Sequence, residues 1–295
     1  MIGILSPKES VSKIMRNFFM LFFVAMMAFG VRVQAVEVLE VLESVEIEVP
    51  VIMYHLVTEQ SKYIGKYGIR PDDFETDLVY LRDNGYTPIV MEDLFNFVNN
   101  MGQLPEKPIM LTFDDGNSGD YEYVLPLLQK YNMRAIVAII GATADQYTPL
   151  AEENPKAKYP NLTWGQVLAL HESGLVEIQN HSYDLHGKNG SGRRKGESDE
   201  AYHIRLREDL KKLQDACSEN IGHIPTAFIY PLGVIGEGSQ KVLEELGMVA
   251  SFGCEEGMNL FSRGDLDGLF RIKRVNRANK RTVEEILGKL PKKNP

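Results

Sequence analysis

The sequence LTFDDGNSGD, residues 111–120, places two adjacent carboxylates between an apolar segment and a glycine. Because successive side chains of a strand point to opposite faces, Asp114 and Asp115 can meet only where the strand ends and the chain turns. Gly116 provides a backbone that makes such a turn without steric cost. Two interpretations follow: a solvent-exposed Asp-Gly turn, or a pair of reactive acids at the end of a strand.

The surrounding chain favours the second interpretation. From residue 50 onward, β-rich segments alternate with helical ones, which predicts βα units and a parallel sheet. The predicted strands are VPVIMYH, KPIMLTF, RAIVAIIG, LVEIQ, TAFIY, MVASFG and LFRIKRV. About seven such units predict an α/β barrel, in which reactive residues lie at the C-terminal ends of the strands. The acid pair follows IMLTF at such an end.

The N-terminal region differs from the rest of the chain. Lys8, Lys13 and Arg16 precede an apolar run at 17–31, and small residues follow at 33–35. This is the pattern of a secretory signal peptide, and the run is short for a membrane span of about 20 residues. We therefore expect a signal peptide at 1–35, with an uncleaved signal anchor as the alternative, and a secreted or cell-surface protein.

Residues 36–49 alternate acidic and aliphatic side chains, a pattern typical of an edge strand or of a stiff, charged linker. We interpret them as a linker and expect the single domain at 50–295. The net charge of the chain is −9, and loss of residues 1–35, with four basic and one acidic residue, makes it −12. An acidic protein is a poor partner for nucleic acid, whereas its field tolerates neutral or cationic polymers.

Two cysteines, Cys217 and Cys254, do not make a disulfide framework. Although one bridge can form in an oxidising compartment, we expect both to be structural. We also expect a monomer that contacts a membrane only if the N-terminal segment remains as an anchor.

A second cluster of polar residues follows the predicted strand LVEIQ. His181 and His186 lie in NHSYDLHG, and their spacing of five does not stack two rings on one helix face. A loop that ends at Gly187 can bring them together. Two histidines and a carboxylate that leave one position open are the ligands of a catalytic zinc, and a neighbouring acid can then accept a proton from water.

The other histidines have different interpretations. We expect His171, His203 and His223, which lie in or beside predicted helices, to be packing or surface residues. His55 ends the strand VIMYH and so points towards the reactive end. It is either a core histidine or an acid that protonates a leaving group.

These residues resemble the polysaccharide deacetylases, the NodB-homology family also called carbohydrate esterase family four. TFDDG at 112–116 is similar to the first family motif, HSYDLH at 181–186 to the second, and FIYPLG at 228–233 to a degenerate third. The resemblance covers residues 51–290, and PVIMYH is similar to secreted members that act on poly-N-acetylglucosamine. It implies an α/β fold: a distorted (β/α) barrel with about seven parallel strands in a single domain.

The resemblance also implies the roles of the acids and histidines. Asp114 would be the general base, and Asp115, His181 and His186 would hold a divalent metal, Zn²⁺ first, with Co²⁺ or Ni²⁺ as alternatives. The reaction would be hydrolysis of N-acetyl groups in a polymer of N-acetylglucosamine, either cell-wall peptidoglycan or an exopolysaccharide.

The chain departs from the family pattern in the third motif. The usual arginine of that motif is replaced by Ile229, and the aromatic residue after the proline is Leu232. The backbone N–H of Leu232 can still stabilise an oxyanion, because a backbone donor does not depend on the side chain.

A second departure lies near the end of the chain. The late Leu-x-His motif, which supplies the general acid in the family, is absent, and RIKRVNR stands in its region. His55 is therefore the candidate acid, and Arg274 is a candidate for the missing positive charge near Asp114.

Tyr230 and Trp164 are candidates for packing on sugar rings, although a core position is the simpler interpretation of each. Arg193, Arg194 and Lys195 follow His186 in a glycine-rich loop that we expect to be solvated. The main hypothesis is a secreted amidase. The alternatives are a non-catalytic glycan-binding relative of the same fold and an amidase for a small non-sugar substrate.

Overall fold

The structure is a computed structural model that describes residues 46–291. The predicted signal peptide at 1–35 and residues 36–45 of the predicted linker lie outside the described residues. Where the structure begins, it differs from the linker interpretation, because Ile47–Val49 forms strand β1. This strand pairs antiparallel with Asn259–Phe261 and so belongs to the domain. Within 46–291, no helix has both the length and the apolar character needed to cross a bilayer.

The domain is built on a parallel sheet whose seven main strands follow the order β10-β9-β8-β7-β6-β2-β12, with β5 beside the first half of β6. Strands β3 and β4 form a separate parallel pair, and β1 pairs with β11. The strands are β1 (Ile47–Val49), β2 (Val51–Tyr54), β3 (Leu56–Val57), β4 (Gly68–Ile69), β5 (Thr87–Ile89), β6 (Pro108–Phe113), β7 (Ala135–Ile139), β8 (Val176–Asn180), β9 (Ala227–Ile229), β10 (Ala250–Phe252), β11 (Asn259–Phe261) and β12 (Val275–Asn276).

The segment before β12 brings the two edges of the sheet together. Ile272 forms a parallel bridge with Phe252 of β10, and three residues later Val275 of β12 pairs with Ile52 of β2. One short stretch of chain therefore contacts β10 at one edge of the sheet and, as β12, forms the other edge beside β2. This closure confirms the predicted distorted (β/α) barrel of about seven parallel strands, although the strand predicted from LFRIKRV is shorter than expected.

Helices connect the strands and cover the outside of the barrel. They are α1 (Pro71–Asp83), α2 (Met91–Val98), α3 (Leu125–Tyr131), α4 (Gly141–Glu153), α5 (Trp164–Glu172), α6 (Asp199–Ile221), α7 (Ser239–Glu245) and α8 (Val283–Lys289). Thr163 caps α5, since its side chain accepts a hydrogen bond from the backbone N–H of Gln166. Pro126 lies in the first turn of α3, directly after a π-helical turn at Asp120–Val124.

The strands are buried on both faces, as expected for a parallel sheet covered by helices. On β7, Ala135, Val137 and Ile139 belong to the core shared with the helices, whereas Ile136 and Ala138 pack in a second core that also contains Ile229 and Phe252. This alternation follows from the two-residue period of a strand. It leaves the ends of the strands as the places where polar side chains can converge.

A buried ion pair ties the last strand to the first helix. Arg277 contacts both carboxylate oxygens of Asp77, with Nε–Oδ2 and Nη2–Oδ1 distances of 2.7 and 3.1 Å. The hydroxyl of Tyr54 donates to Asp77 at 3.1 Å, and the backbone N–H of Val283 donates to it at 3.3 Å. One carboxylate therefore joins β2, α1, β12 and the start of α8.

We predict that Asp77→Ala lowers the free energy of unfolding by about 3–5 kcal/mol, because it leaves the guanidinium of Arg277 buried without its counter-ion. Urea denaturation followed by circular dichroism measures the change. Asp215→Ala is the matched control: its exposed ion pair with Lys211 on α6 predicts a loss below about 0.5 kcal/mol. Equal losses in the two variants would contradict this account of the pair.

Candidate active site

The acids and histidines singled out by the sequence follow three strands of the barrel at their C-terminal ends. Asp114 and Asp115 follow β6, His181 follows β8, and His55 follows β2. These strands lie side by side or nearly so, in the order β8-β7-β6-β2. Because parallel strands end at the same rim, the sheet brings these side chains to one place.

The turn after β6 lets two neighbouring acids share this place. Asp115 has φ 77° and Gly116 has φ 63°, so two successive residues adopt the left-handed region. Asp tolerates this region better than most residues, and a Cβ on Gly116 would lie only 3.1 Å from Cγ2 of Ile139. The Asp-Gly sequence therefore suits this turn. The interpretation as a solvent-exposed turn is wrong for Asp114, which is 2% exposed.

Asp115, His181 and His186 form a cluster of potential metal ligands. Their ligand atoms lie within 4.8 Å of one another. The Nε2 atoms of His181 and His186 are 3.4 and 3.1 Å from Oδ1 of Asp115. That oxygen is buried and has no hydrogen-bond partner, which is costly unless another group satisfies it. Two imidazoles beside a carboxylate oxygen that lacks a partner are a ligand set that fits a divalent cation with an open coordination position.

The backbone fixes how His181 presents its ring. Its Nδ1 lies 2.8 Å from the carbonyl oxygen of Ile229, at the end of β9. Nδ1 therefore carries the proton and donates, which leaves the Nε2 lone pair directed at the cluster. Such a partner on the second ring nitrogen orients metal-binding histidines in general.

Arg274 holds the other acid of the pair. Its Nη1 and Nη2 atoms contact Oδ1 and Oδ2 of Asp114 at 2.6 and 2.8 Å. Arg274 is fully buried, and it is held by the carbonyl of Gly253 at 2.8 Å and the hydroxyl of Thr112 at 3.2 Å. Arg274 therefore occupies the position of a positive charge beside Asp114, the place considered for it from the sequence.

Electrostatics keep Asp114 ionised. Burial alone would raise the pKa of this carboxyl, but the charge and hydrogen bonds of Arg274, helped by His181 and His55, lower it below the ordinary value. Burial raises the pKa of Asp115 too, and the contacts with His181 and His186 lower it further than burial raises it. Arg274 thus keeps Asp114 ionised, whereas contacts with the two histidines keep Asp115 ionised.

His55 lies on the other side of Asp114. Its Nε2 is 4.0 Å from Oδ2 of Asp114, and its ring packs against that of Tyr67 with a centroid distance of 4.7 Å. Burial lowers the pKa of His55, whereas the negative charges of Asp114 and Asp115 act against this shift. His55 thus faces the site and is not a core histidine, the other interpretation open from the sequence.

A cavity of about 650 Å³ opens over these groups. Leu232 lies at its edge in the left-handed region, with φ 58°. A leucine rarely adopts this conformation, so the local loop imposes it. Leu232 therefore lines the same cavity as the acid pair.

The structure does not bring Tyr230 and Trp164 to this cavity. Tyr230 is 1% exposed, packs on Phe228, and its hydroxyl shares a hydrogen bond of 2.8 Å with Ser239. Trp164 is 5% exposed, and its Nε1 donates to Asp145 at 2.7 Å. Both rings therefore occupy core positions, the simpler interpretation from the sequence, and bury their polar atoms against other side chains, so neither is placed to pack on a sugar.

The sequence interpretation also missed part of the cavity wall. Tyr63, Lys66 and Tyr67 come from SKYIGKYG at 61–68, and Asn117 and Cys254 complete other sides. The repeated Lys-Tyr pair was a usable signal, because a cation next to an aromatic ring in sequence can form a cation–π contact. Both cysteines are free thiols, Cys217 in the core and Cys254 partly exposed.

Comparison with known proteins identifies relatives. A family model for polysaccharide deacetylase matches residues 101–251. The poly-β-1,6-N-acetyl-D-glucosamine N-deacetylase of Escherichia coli K12 is 25% identical over 265 residues, which are 83% of this chain and 39% of that protein. The protein of the same name from Staphylococcus aureus MW2 is 25% identical over 199 residues, 66% of this chain and 64% of its own length. The chain thus spans about two fifths of the E. coli relative.

Solved structures share the fold. The de-N-acetylase of Aggregatibacter actinomycetemcomitans has a TM-score of 0.69 at 24% identity, and the match covers 82% of this chain and 99% of that one. The deacetylase domain of BpsB from Bordetella bronchiseptica has a TM-score of 0.63 at 25% identity, with 79% and 96% covered.

We predict that the protein binds one divalent cation and that His186→Ala lowers its affinity for Zn²⁺ or Co²⁺ by more than about 100-fold, since even residues outside the coordination shell contribute 10- to 100-fold. Calorimetric titration of metal-stripped protein and the visible spectrum of Co²⁺ measure the binding. His171→Ala is the control, because His171 stacks on His223 away from this cavity. Unchanged affinity in His186→Ala would remove this histidine from the metal site.

Proposed function

Because this chain belongs to the polysaccharide deacetylase family, we propose that it is a secreted, metal-dependent enzyme that hydrolyses N-acetyl groups of an N-acetylglucosamine polymer and releases acetate. The observation that carries the proposal is the arrangement around Asp114. A buried carboxylate, held ionised by Arg274, adjoins a cluster of three ligands at the base of one cavity.

Asp115, His181 and His186 would hold the cation, for which we propose Zn²⁺, with Co²⁺ and Ni²⁺ as alternatives. When bound there, such an ion polarises the acetamide carbonyl and makes water a nucleophile near neutral pH. The remaining chemistry belongs to side chains and backbone of the chain itself.

Asp114 is the general base in this proposal. It accepts a proton from the attacking water while Arg274 holds both of its oxygens in place. Arg274 offsets the effect of burial on the pKa of Asp114 and so keeps it as the carboxylate, the form that accepts a proton. Because a bidentate contact also fixes the carboxylate plane, Arg274 positions the base as well as charging its surroundings.

His55 is the proposed general acid. As the C–N bond of the amide breaks, the nitrogen of the sugar must gain a proton before it leaves as an amine. His55 lines the cavity and lies 4.0 Å from Asp114, so base and acid flank the same space. The backbone N–H of Leu232, in the cavity wall, is the proposed donor to the developing oxyanion.

Contacts around Asp114 favour the enzyme over a non-catalytic glycan-binding protein. The argument for a binder rested on Ile229 in place of an arginine and on the missing late histidine. In the structure, Arg274 supplies a positive charge to Asp114, and His55 places an imidazole at the cavity. In this proposal, Arg274 and His55 take over the roles of the arginine and the late histidine that the sequence motifs lack.

The polymer we propose is a β-1,6-linked poly-N-acetylglucosamine, because relatives in E. coli and S. aureus carry that activity in their names. Peptidoglycan is the alternative glycan. Secretion or display at the cell surface rests on the sequence of residues 1–35 and agrees with a polymeric extracellular substrate. Acetate release from the two polymers, by protein loaded with Zn²⁺, tests substrate and reaction together, and no release from either would refute the proposal.

We predict that Asp114→Asn lowers kcat for acetate release by about 10²- to 10⁴-fold, the usual contribution of a general base, while metal affinity changes less than about threefold. Acetate assays and calorimetry on the same preparation measure the two quantities. Asp145→Asn makes the same chemical change outside the cavity, where Asp145 accepts a hydrogen bond from Trp164. This variant should leave kcat near the wild-type value. Activity that survives Asp114→Asn would exclude Asp114 as the base.

We predict a different pattern for His55→Gln. Acetate release from an N-acetylglucosamine oligomer should fall by about 10²- to 10⁴-fold, because an amine leaves only when protonated. Hydrolysis of p-nitrophenyl acetate should fall less than about tenfold, because its phenolate leaves without a proton. Asp114→Asn should impair both reactions, so the pair of variants separates acid from base. Equal losses for His55→Gln on both substrates would contradict the assignment.

A further inference from the structure

The loop at 61–68 forms one wall of the cavity and carries two matched Lys-Tyr pairs. The ammonium of Lys62 lies 4.5 Å from the ring centroid of Tyr63, and that of Lys66 lies 4.7 Å from that of Tyr67. The two rings are 50% and 48% exposed. Tyr63, Lys66 and Tyr67 line the cavity, whereas Lys62 does not.

Backbone hydrogen bonds fix this loop. The carbonyl of Lys66 accepts from Nδ2 of Asn276 at 2.9 Å, and the carbonyl of Tyr67 accepts from the N–H of Leu56 at 3.0 Å. At Gly68, a Cβ would lie only 2.1 Å from the carbonyl oxygen of Tyr63, so the turn admits no side chain there. The position of Lys66 at the cavity is therefore set by the fold.

Lys66 contributes a positive charge to the cavity wall. Of the acids that line the cavity, Asp114 is paired with Arg274 and Glu256 with Arg281, whereas Asp115 faces the two histidines of the ligand cluster. Among the cavity-lining residues that the structure describes, Lys66 is the only lysine or arginine, and its ammonium has no carboxylate partner. Tyr67 contacts both this ammonium and His55, so the charge lies close to the proposed reaction centre.

We propose that Lys66 is a specificity residue that disfavours sugars bearing a free amine next to the reacting unit. This inference rests on the proposed function. Deacetylation converts a neutral acetamide into an amine that is protonated near neutral pH, and two cations in one cleft repel. An acetylated neighbour carries no charge and suffers no such repulsion. The protein therefore selects acetylated stretches over stretches that it has already deacetylated.

The test compares two β-1,6-linked pentamers, one fully N-acetylated and one with a single free amine, as substrates for the Zn²⁺-loaded protein. The measured quantity is the ratio of kcat/KM for acetate release. The wild type should favour the acetylated pentamer by roughly fivefold, as a surface charge pair predicts. Lys66→Gln should bring the ratio within about twofold of one, and Lys66→Glu should favour the amine-bearing pentamer.

Salt and a matched variant separate electrostatics from shape. Raising NaCl to about 1 M should reduce the wild-type ratio towards one and leave that of Lys66→Gln unchanged, because salt at this concentration screens beyond about 3 Å. Lys62→Gln removes an equivalent ammonium from the neighbouring tyrosine outside the cavity. Its ratio should equal that of the wild type.

A ratio that is insensitive to Lys66→Gln and Lys66→Glu would overturn the inference while acetate release continued. So would equal changes in the Lys62 and Lys66 variants, or a wild-type ratio of one. Absence of acetate from both pentamers would instead refute the proposed function, and the inference with it.

Discussion

The buried ion pair between Asp114 and Arg274 is the constraint on which the site depends. Its carboxylate follows β6 and its guanidinium precedes β12, 160 residues later in the chain. Removing two charges from water costs several kcal/mol for each ion, and their attraction offsets this cost only when geometry and hydrogen bonds are nearly ideal. Here the pair is bidentate, and Thr112 and Gly253 satisfy further donors of Arg274. The interaction is therefore stable only when the sheet has assembled correctly.

Closure of the barrel consequently also brings a positive charge to Asp114, the proposed general base. Arg274 lies between Ile272, which bridges to β10, and Val275, which pairs with β2. The segment that joins the two edges of the sheet thus also carries the charge that ionises Asp114. A few residues later, Arg277 anchors the same segment to Asp77. One short stretch of chain therefore both joins the edges of the sheet and supplies the charge beside Asp114.

Around this pair, the C-terminal rim separates tasks by strand. The end of β6 supplies both acids, the end of β8 supplies His181, and the end of β2 supplies His55. Elements outside the main sheet complete the cavity, including the Lys-Tyr loop that joins β3 to β4. The rim thus positions the acids and histidines, whereas a loop held by hydrogen bonds from Leu56 and Asn276 carries Lys66, for which we propose a role in substrate selection.

The sequence alone determined the features that depend on neighbouring residues. Alternating strand and helix segments predicted the barrel, and the Asp-Gly turn predicted that Asp114 and Asp115 lie together at the end of a strand. Each of these follows from backbone conformation and side-chain period within a few residues.

Only the tertiary structure decided what lies next to what across the chain. It placed Arg274 on Asp114, buried Tyr230 in the core and set Lys66 at the cavity. It also made residues 47–49 a strand instead of a linker, because a short alternating segment becomes β structure when a partner edge such as β11 is available. Packing and pairing between distant segments leave no local pattern in the sequence, so these contacts exist only in the folded chain.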